Sequence, residues 1–120
     1  MGDQSLMQFN IREHVTRVHV IEIQGRLEAF TVGALREEQA RLLESGELHF
    51  IVDLSQTTFM DSAGLSALVS LLKRARQAGG DVVLIKPADP SASRILTLTR
   101  FDQIFLLAET VEDARRRLNL

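Results

Sequence analysis

The sequence predicts an α/β fold with a mostly parallel central sheet, an antiparallel N-terminal hairpin strand and about four helices, in one domain spanning residues 1–120. Three observations carry this. The runs Phe50-Ile51-Val52 and Val82-Val83-Leu84-Ile85 are too continuously apolar for half-exposed strands and read as strands buried on both faces. Residues 62–78 between them follow a helical period, with Leu65, Leu68, Val69 and Leu72 at i, i+3, i+4 and i+7. The elements alternate as β-β-α-β-α-β-α-(β)-α, which calls for right-handed crossovers and parallel pairing.

Each element has a local cause. Phe9, Ile11 and Glu13 suggest a first short strand, turned by His14-Val15-Thr16 into a β-branched strand over 17–24 that Gly25 ends. Residues 26–30 read as a loop, with Thr31 as the N-cap of a helix over 32–44. Leu35, Leu42 and Leu43 mark one face of that helix, with Arg36 and Gln39 elsewhere, and Ser45-Gly46 stops it. Residues 48–54 form the third strand, and 56–60 read as a loop into the helix over 62–78. That helix ends in Lys73, Arg74 and Arg76, which complement its negative C-terminus, and Gly79-Gly80 closes it. The strand over 81–86 stops at Pro87. A shorter helix runs from Pro90 to Leu98, with Ile95 and Leu98 inward. Residues 101–107 hold a last apolar stretch, and Thr110 caps a final helix through Leu118 with Glu112 and Asp113 in its first turn. The first two well-formed helices follow adjacent strands and are expected on the same face of the sheet.

Composition narrows the function. The 120 residues are 45% hydrophobic and 25% charged, with a formal net charge of −2. That balance gives no broad electrostatic attraction for nucleic acid or anionic lipid. All six aromatic residues are phenylalanines, a poor set for stacking single-stranded bases. There is no cysteine, which removes disulfides, thiolate ligands and cysteine nucleophiles and is compatible with a reducing cytoplasm. The first residues lack a signal-peptide pattern, Leu6 breaks a myristoylation motif, and no apolar run reaches the ~20 residues of a membrane span. A cytoplasmic protein without direct membrane insertion is expected.

The chemistry centres on Ser62. The strand Phe50–Ser55 and its loop deliver this serine to the start of a helix, where the dipole tolerates a phosphate. A plain N-cap explains a serine equally well. Two residues argue for more: Asp61 can itself cap, and Gly64 in the first turn suggests close approach by another backbone or a ligand. Catalysis finds no support. Asp61-Ser62-Ala63-Gly64 is not a G-x-S-x-G elbow, and His14, His19 and His49 stand at no diagnostic spacing and read as surface or strand-edge residues. No cluster has metal-ligand spacing, and there is no phosphate loop. Arg115-Arg116-Arg117 reads as a solvated helix end.

The run Phe59-Met60-Asp61-Ser62-Ala63-Gly64-Leu65 resembles the signature of the STAS domains, the anti-sigma factor antagonist family. Gly25-Arg26-Leu27-Glu28-Ala29-Phe30-Thr31 resembles the G-x-L-D-x-x-T segment before that family's first helix, and Gly79-Gly80 before a buried strand also fits. The resemblance spans essentially the whole chain and implies a STAS-like fold. It matches Ser62 to a serine phosphorylated by the partner and Asp61 to the acidic neighbour required there. Glu28 stands where the family usually has Asp, one methylene shorter.

The resemblance implies partner switching. The unmodified protein docks on an anti-sigma factor serine kinase and frees a sigma factor; phosphorylation of Ser62 abolishes docking, and a serine phosphatase would reverse it. No cofactor is expected, because ATP belongs to the kinase. The expected docking face is the loop from Arg26 to Thr31, with Arg26, Glu28 and Thr31 foremost, then the Asp61–Leu65 turn with Asp61, Ser62, Ala63 and Gly64, then the outer side of the helix at Ser66, Ser70 and Arg74. Leu71, at the edge of the apolar stripe, reads either as core or as a partner-facing anchor. The competing reading is a constitutive STAS subunit of a stressosome-like or membrane-transport assembly, in which Ser62 is a cap that is never modified. A small enzyme or nucleotide-binding protein is the third, weakened by the missing nucleophile–base pair.

Overall fold

The apolar runs form the middle of the sheet. In the computed structural model, which describes residues 7–8 and 17–120, β4 (His49–Asp53) lies between β2 (Val18–Glu22) and β6 (Asp81–Ile85), parallel to both. β7 (Leu106–Ala108) adds parallel to β6, and β1 (Met7–Gln8) pairs antiparallel with β2 at His19 and Val18. The sheet order is β1-β2-β4-β6-β7. The expected strand at Phe9, Ile11 and Glu13 and its turn at His14-Val15-Thr16 lie outside the described residues.

The two-residue period of each strand divides the core between two faces. Phe50 and Val52 of β4, with Val82 and Leu84 of β6, pack under α1 (Val32–Glu44), α2 (Ser62–Gln77) and α3 (Pro90–Thr99). Ile51, Val83 and Ile85 face the other way, onto Ala114 and Leu118 at α4 (Val111–Arg117). Helix starts follow the sequence. Asp61, Asp89 and Thr110 each accept a backbone N–H with the side chain, and Pro90 opens α3. At the far end of α2, a Cβ on Gly80 would sit 1.9 Å from the Leu48 carbonyl oxygen, so only glycine permits that approach.

Several expectations are corrected. Residues 26–30 are not all loop and 56–60 not a simple connection: Gly25–Leu27 is a strand, β3, and Thr57–Met60 another, β5, paired parallel in a sheet of their own. These segments lack the length and apolar continuity of the central strands, and only their mutual pairing makes them strands. Gln39 is buried although polar, and Leu98 is exposed, because Ala92 and Leu96 supply the buried side of α3. His19 is buried within β2 rather than sitting at an edge. Leu71 is core, 1% exposed, which removes it as a partner-facing anchor.

Candidate functional site

The site is assembled by the β3–β5 pair. Gly25 takes φ +88, a conformation natural to glycine, and a register shift follows between Gly25 and Arg26. The buried Thr57 hydroxyl donates to the Ile23 carbonyl at 2.7 Å, tying the start of β5 to the end of β2. With Arg26 opposite Phe59 and Leu27 opposite Met60, the two strands finish side by side. The loop after β3 and the turn after β5 therefore emerge together.

Asp61 locks them. It is the N-cap of α2: one carboxylate oxygen accepts from the Gly64 N–H at 2.9 Å, and the other accepts from the Ala29 N–H at 3.2 Å. The Gly64 N–H, aided by those of Ala29 and Ala63, holds the Asp61 carboxyl below its ordinary pKa. Gly64 is required by the same junction. A Cβ there would lie 2.3 Å from the Leu27 carbonyl oxygen, so the close approach suggested by the sequence is that of β3's own backbone.

Ser62 is the first residue of α2 and is exposed. Ala63 is half-buried against the core, and Gly64 is buried. The sequence also placed Thr31 as a cap. It does occupy that position before α1, but its side chain makes no capping bond. Its hydroxyl donates to the Arg26 carbonyl at 2.7 Å and accepts from the Glu28 N–H at 3.1 Å, closing the loop on itself. Glu28 turns back onto Arg26, whose Nε and Nη2 lie 2.9 and 3.3 Å from its carboxylate oxygens. The Arg26 guanidinium also stacks over Phe59, 4.3 Å from the ring centre.

The structure thus brings Arg26, Glu28, Thr31, Asp61 and Ser62 into one cluster. Ser66 and Ser70 extend it along α2. Ser66 accepts from Arg36 Nη2 of α1 at 3.2 Å, and both serines line a surface groove of about 390 Å³ with Val69, Lys73, Arg74 and Gln77. Within the loop expected on the docking face, one residue was not named by itself: Phe30, at the tip between Glu28 and Thr31, is 96% exposed. Its signal was available, as an aromatic in a short loop of a chain holding only six. His19 Nε2 lies 3.3 Å from Glu47 Oε1.

Comparison with known proteins decides the family. Residues 10–114 match the STAS domain. The chain belongs to the STAS domain family. Among its relatives is the anti-sigma F factor antagonist of Paenibacillus polymyxa, 23% identical over 109 residues that cover 90% of this chain and 92% of that protein. Among solved structures, TM1081 of Thermotoga maritima superposes with a TM-score of 0.80 at 21% identity, covering 98% of this STAS domain and 97% of that chain. The phosphorylated form of SpoIIAA, a cell-fate determinant of Bacillus, superposes with a TM-score of 0.67 at 21% identity, covering 92% and 98%. At these identities the structural likenesses establish the fold. No helix among the described residues is long and apolar enough to cross a membrane.

Proposed function

We propose that this STAS domain is an anti-sigma factor antagonist that works by partner switching. Its unphosphorylated form binds an anti-sigma factor serine kinase and releases the sigma factor. Phosphorylation of Ser62 ends that binding, and a serine phosphatase restores it. The kinase supplies ATP, and the exchange takes place in the cytoplasm. The observation that carries the reading is the placement of Ser62. It is an exposed hydroxyl at the start of α2, held by Asp61 beside the Glu28–Thr31 loop. The relationship to antagonists such as that of Paenibacillus polymyxa, and the existence of SpoIIAA in a phosphorylated form, support the same reading.

Electrostatics separates the effect on the fold from the effect on binding. A phosphate adds about −1.5 to −2 charge. At the N-terminus of α2 the helix dipole favours it by roughly 0.3–2 kcal/mol, while the adjacent Asp61 carboxylate opposes it. The fold is retained. At a docked surface the same charge, buried or facing a like charge, costs several kcal/mol, and about 4 kcal/mol is already a thousandfold in affinity.

The test is a quantitative pull-down from lysate of the source organism with wild-type and Ser62→Asp baits. Recovery of a kinase-fold protein by wild type alone is the expected result. Equal recovery by both baits would leave Ser62, whose helix is already capped by Asp61, without a switching role and make this chain a constitutive subunit.

A further inference from the structure

The outer face of α2 carries a charge pattern that modification of Ser62 does not use. From Ser62 to Gln77 the helix holds Lys73, Arg74 and Arg76 and no carboxylate. Arg76 is engaged, donating Nε to Asp81 at 3.0 Å and Nη2 to the Ile104 carbonyl at 3.1 Å. Lys73 and Arg74 are exposed, and among the described residues neither forms an ion pair. They stand at one end of the groove of about 390 Å³. At the other end Arg36 reaches across from α1 to Ser66, so its guanidinium meets a hydroxyl rather than a carboxylate. The helical rise puts Ser66 roughly 12 Å, about two turns, from Arg74. Between them the groove floor holds Val69 and Ser70. One turn before Ser66 is Ser62, and beside that turn stands the loop bearing Phe30.

We propose that this groove receives an acidic segment of the anti-sigma factor, with carboxylates facing Arg36 at one end and Lys73 and Arg74 at the other. Phe30 fits an apolar pocket of the same partner. The inference rests on the antagonist reading and adds the chemistry of the surface that the partner presents. Charge complementarity selects the occupant: Lys73 and Arg74 on a helix without a carboxylate, and Arg36 bonded to the Ser66 hydroxyl, invite a partner that supplies carboxylates. The chain's net charge of −2 gives a polyanion such as DNA no wider basic field to follow. The arrangement also assigns separate tasks. Phe30, exposed at the loop tip, supplies contact area near Ser62, whereas the cations set register and speed encounter.

The probe is the kinase-fold protein that wild type recovers, purified and titrated against full-length variants. Lys73→Glu/Arg74→Glu is compared with Arg116→Glu/Arg117→Glu on α4, which makes the same change in net charge on the other face of the sheet. The expected result is at least a tenfold loss of affinity for the first pair, mostly in association rate, and a change within about twofold for the second. Raising salt from about 0.05 to 0.5 M should weaken wild-type binding and, by screening the repulsion the new glutamates introduce, narrow its advantage over the reversed variant. Carboxylate-to-lysine changes in the partner should then restore binding to the reversed variant. Equal affinity of wild type and Lys73→Glu/Arg74→Glu overturns this inference and leaves the antagonist reading standing. Loss of self-association or of DNA binding in that variant, with kinase binding intact, overturns it too. Failure of wild type to bind any kinase-fold protein overturns the antagonist reading and this inference with it.

Discussion

Replacing Gly64 by alanine should destabilise this protein, although the same change at another first-turn glycine should stabilise it. Gly33, second residue of α1, has nothing within 4 Å of the position its Cβ would occupy. Gly33→Ala should therefore gain from reduced unfolded-state freedom and better helix propensity, by about 0.4–1 kcal/mol. At Gly64 the new methyl would lie 2.3 Å from the Leu27 carbonyl oxygen and 2.8 Å from Leu27 Cγ. The first obstacle is backbone, so β3 must move away from α2 by about 1 Å to reach ordinary contact. Overpacking of this kind costs roughly 1–3 kcal/mol, against which the helix preference of alanine returns at most about 1 kcal/mol. A net loss of about 1–2 kcal/mol is expected. For a chain of this size that lowers the melting temperature by roughly 3–10 °C. Urea unfolding of both variants, with thermal melts alongside, measures the two signs. A Gly64→Ala protein as stable as wild type would refute the argument that the β3–α2 approach dictates glycine. The displacement would also part the Phe30 loop from Ser62, so partner affinity should fall by more than the stability loss explains.

Three further outcomes are expected. Asp61→Ala removes both the cap at Gly64 and the anchor at Ala29 and should cost about 0.5–2 kcal/mol by urea unfolding, whereas Asp61→Asn can still cap but presents an amide N–H to one donor, so it should spare most stability and weaken partner binding. Phe30→Ala should leave stability within about 0.5 kcal/mol, because the ring is solvent-exposed, yet reduce partner affinity at least tenfold in calorimetric titration. Burial depresses the His19 pKa against the pull of Glu47, so the folded state favours neutral imidazole. That stability is full above the ordinary histidine pKa and is lost as pH falls through it toward the lowered value; melting temperature should drop between about pH 7 and 5, with a shallower slope in His19→Leu.

How much was legible in the chain differs by element. β4, β6, α1 and α2 announced themselves, because burial on two faces needs continuous apolar runs and burial of one helix face needs a 3.6-residue period. The same reasoning put Ser62 at a helix start and Asp61 in reach of its amides. β3 and β5 were illegible: three and four residues, mixed in polarity, become strands only against each other. Thr31 shows a subtler miss. The residue type suited a cap, but its hydroxyl found nearer partners at Arg26 and Glu28. Gln39 and His19 were misread because a polar side chain carries no sequence mark of the burial its neighbours impose.

By itself the sequence determined an α/β chain with a doubly buried central strand pair, its helix boundaries, and an Asp-Ser pair where the longest helix begins. These follow from short-range rules of period, capping and chain stops, which adjacent residues satisfy among themselves. Only the tertiary structure decided that the Glu28–Thr31 loop meets the Asp61–Ser62 turn, that Phe30 stands out beside them, and that Arg36 of α1 reaches Ser66 of α2. Those juxtapositions depend on the pairing of β3 with β5 and of α1 with α2. Contacts between segments some 30 residues apart are set by the packing of the whole sheet, and no local pattern encodes them.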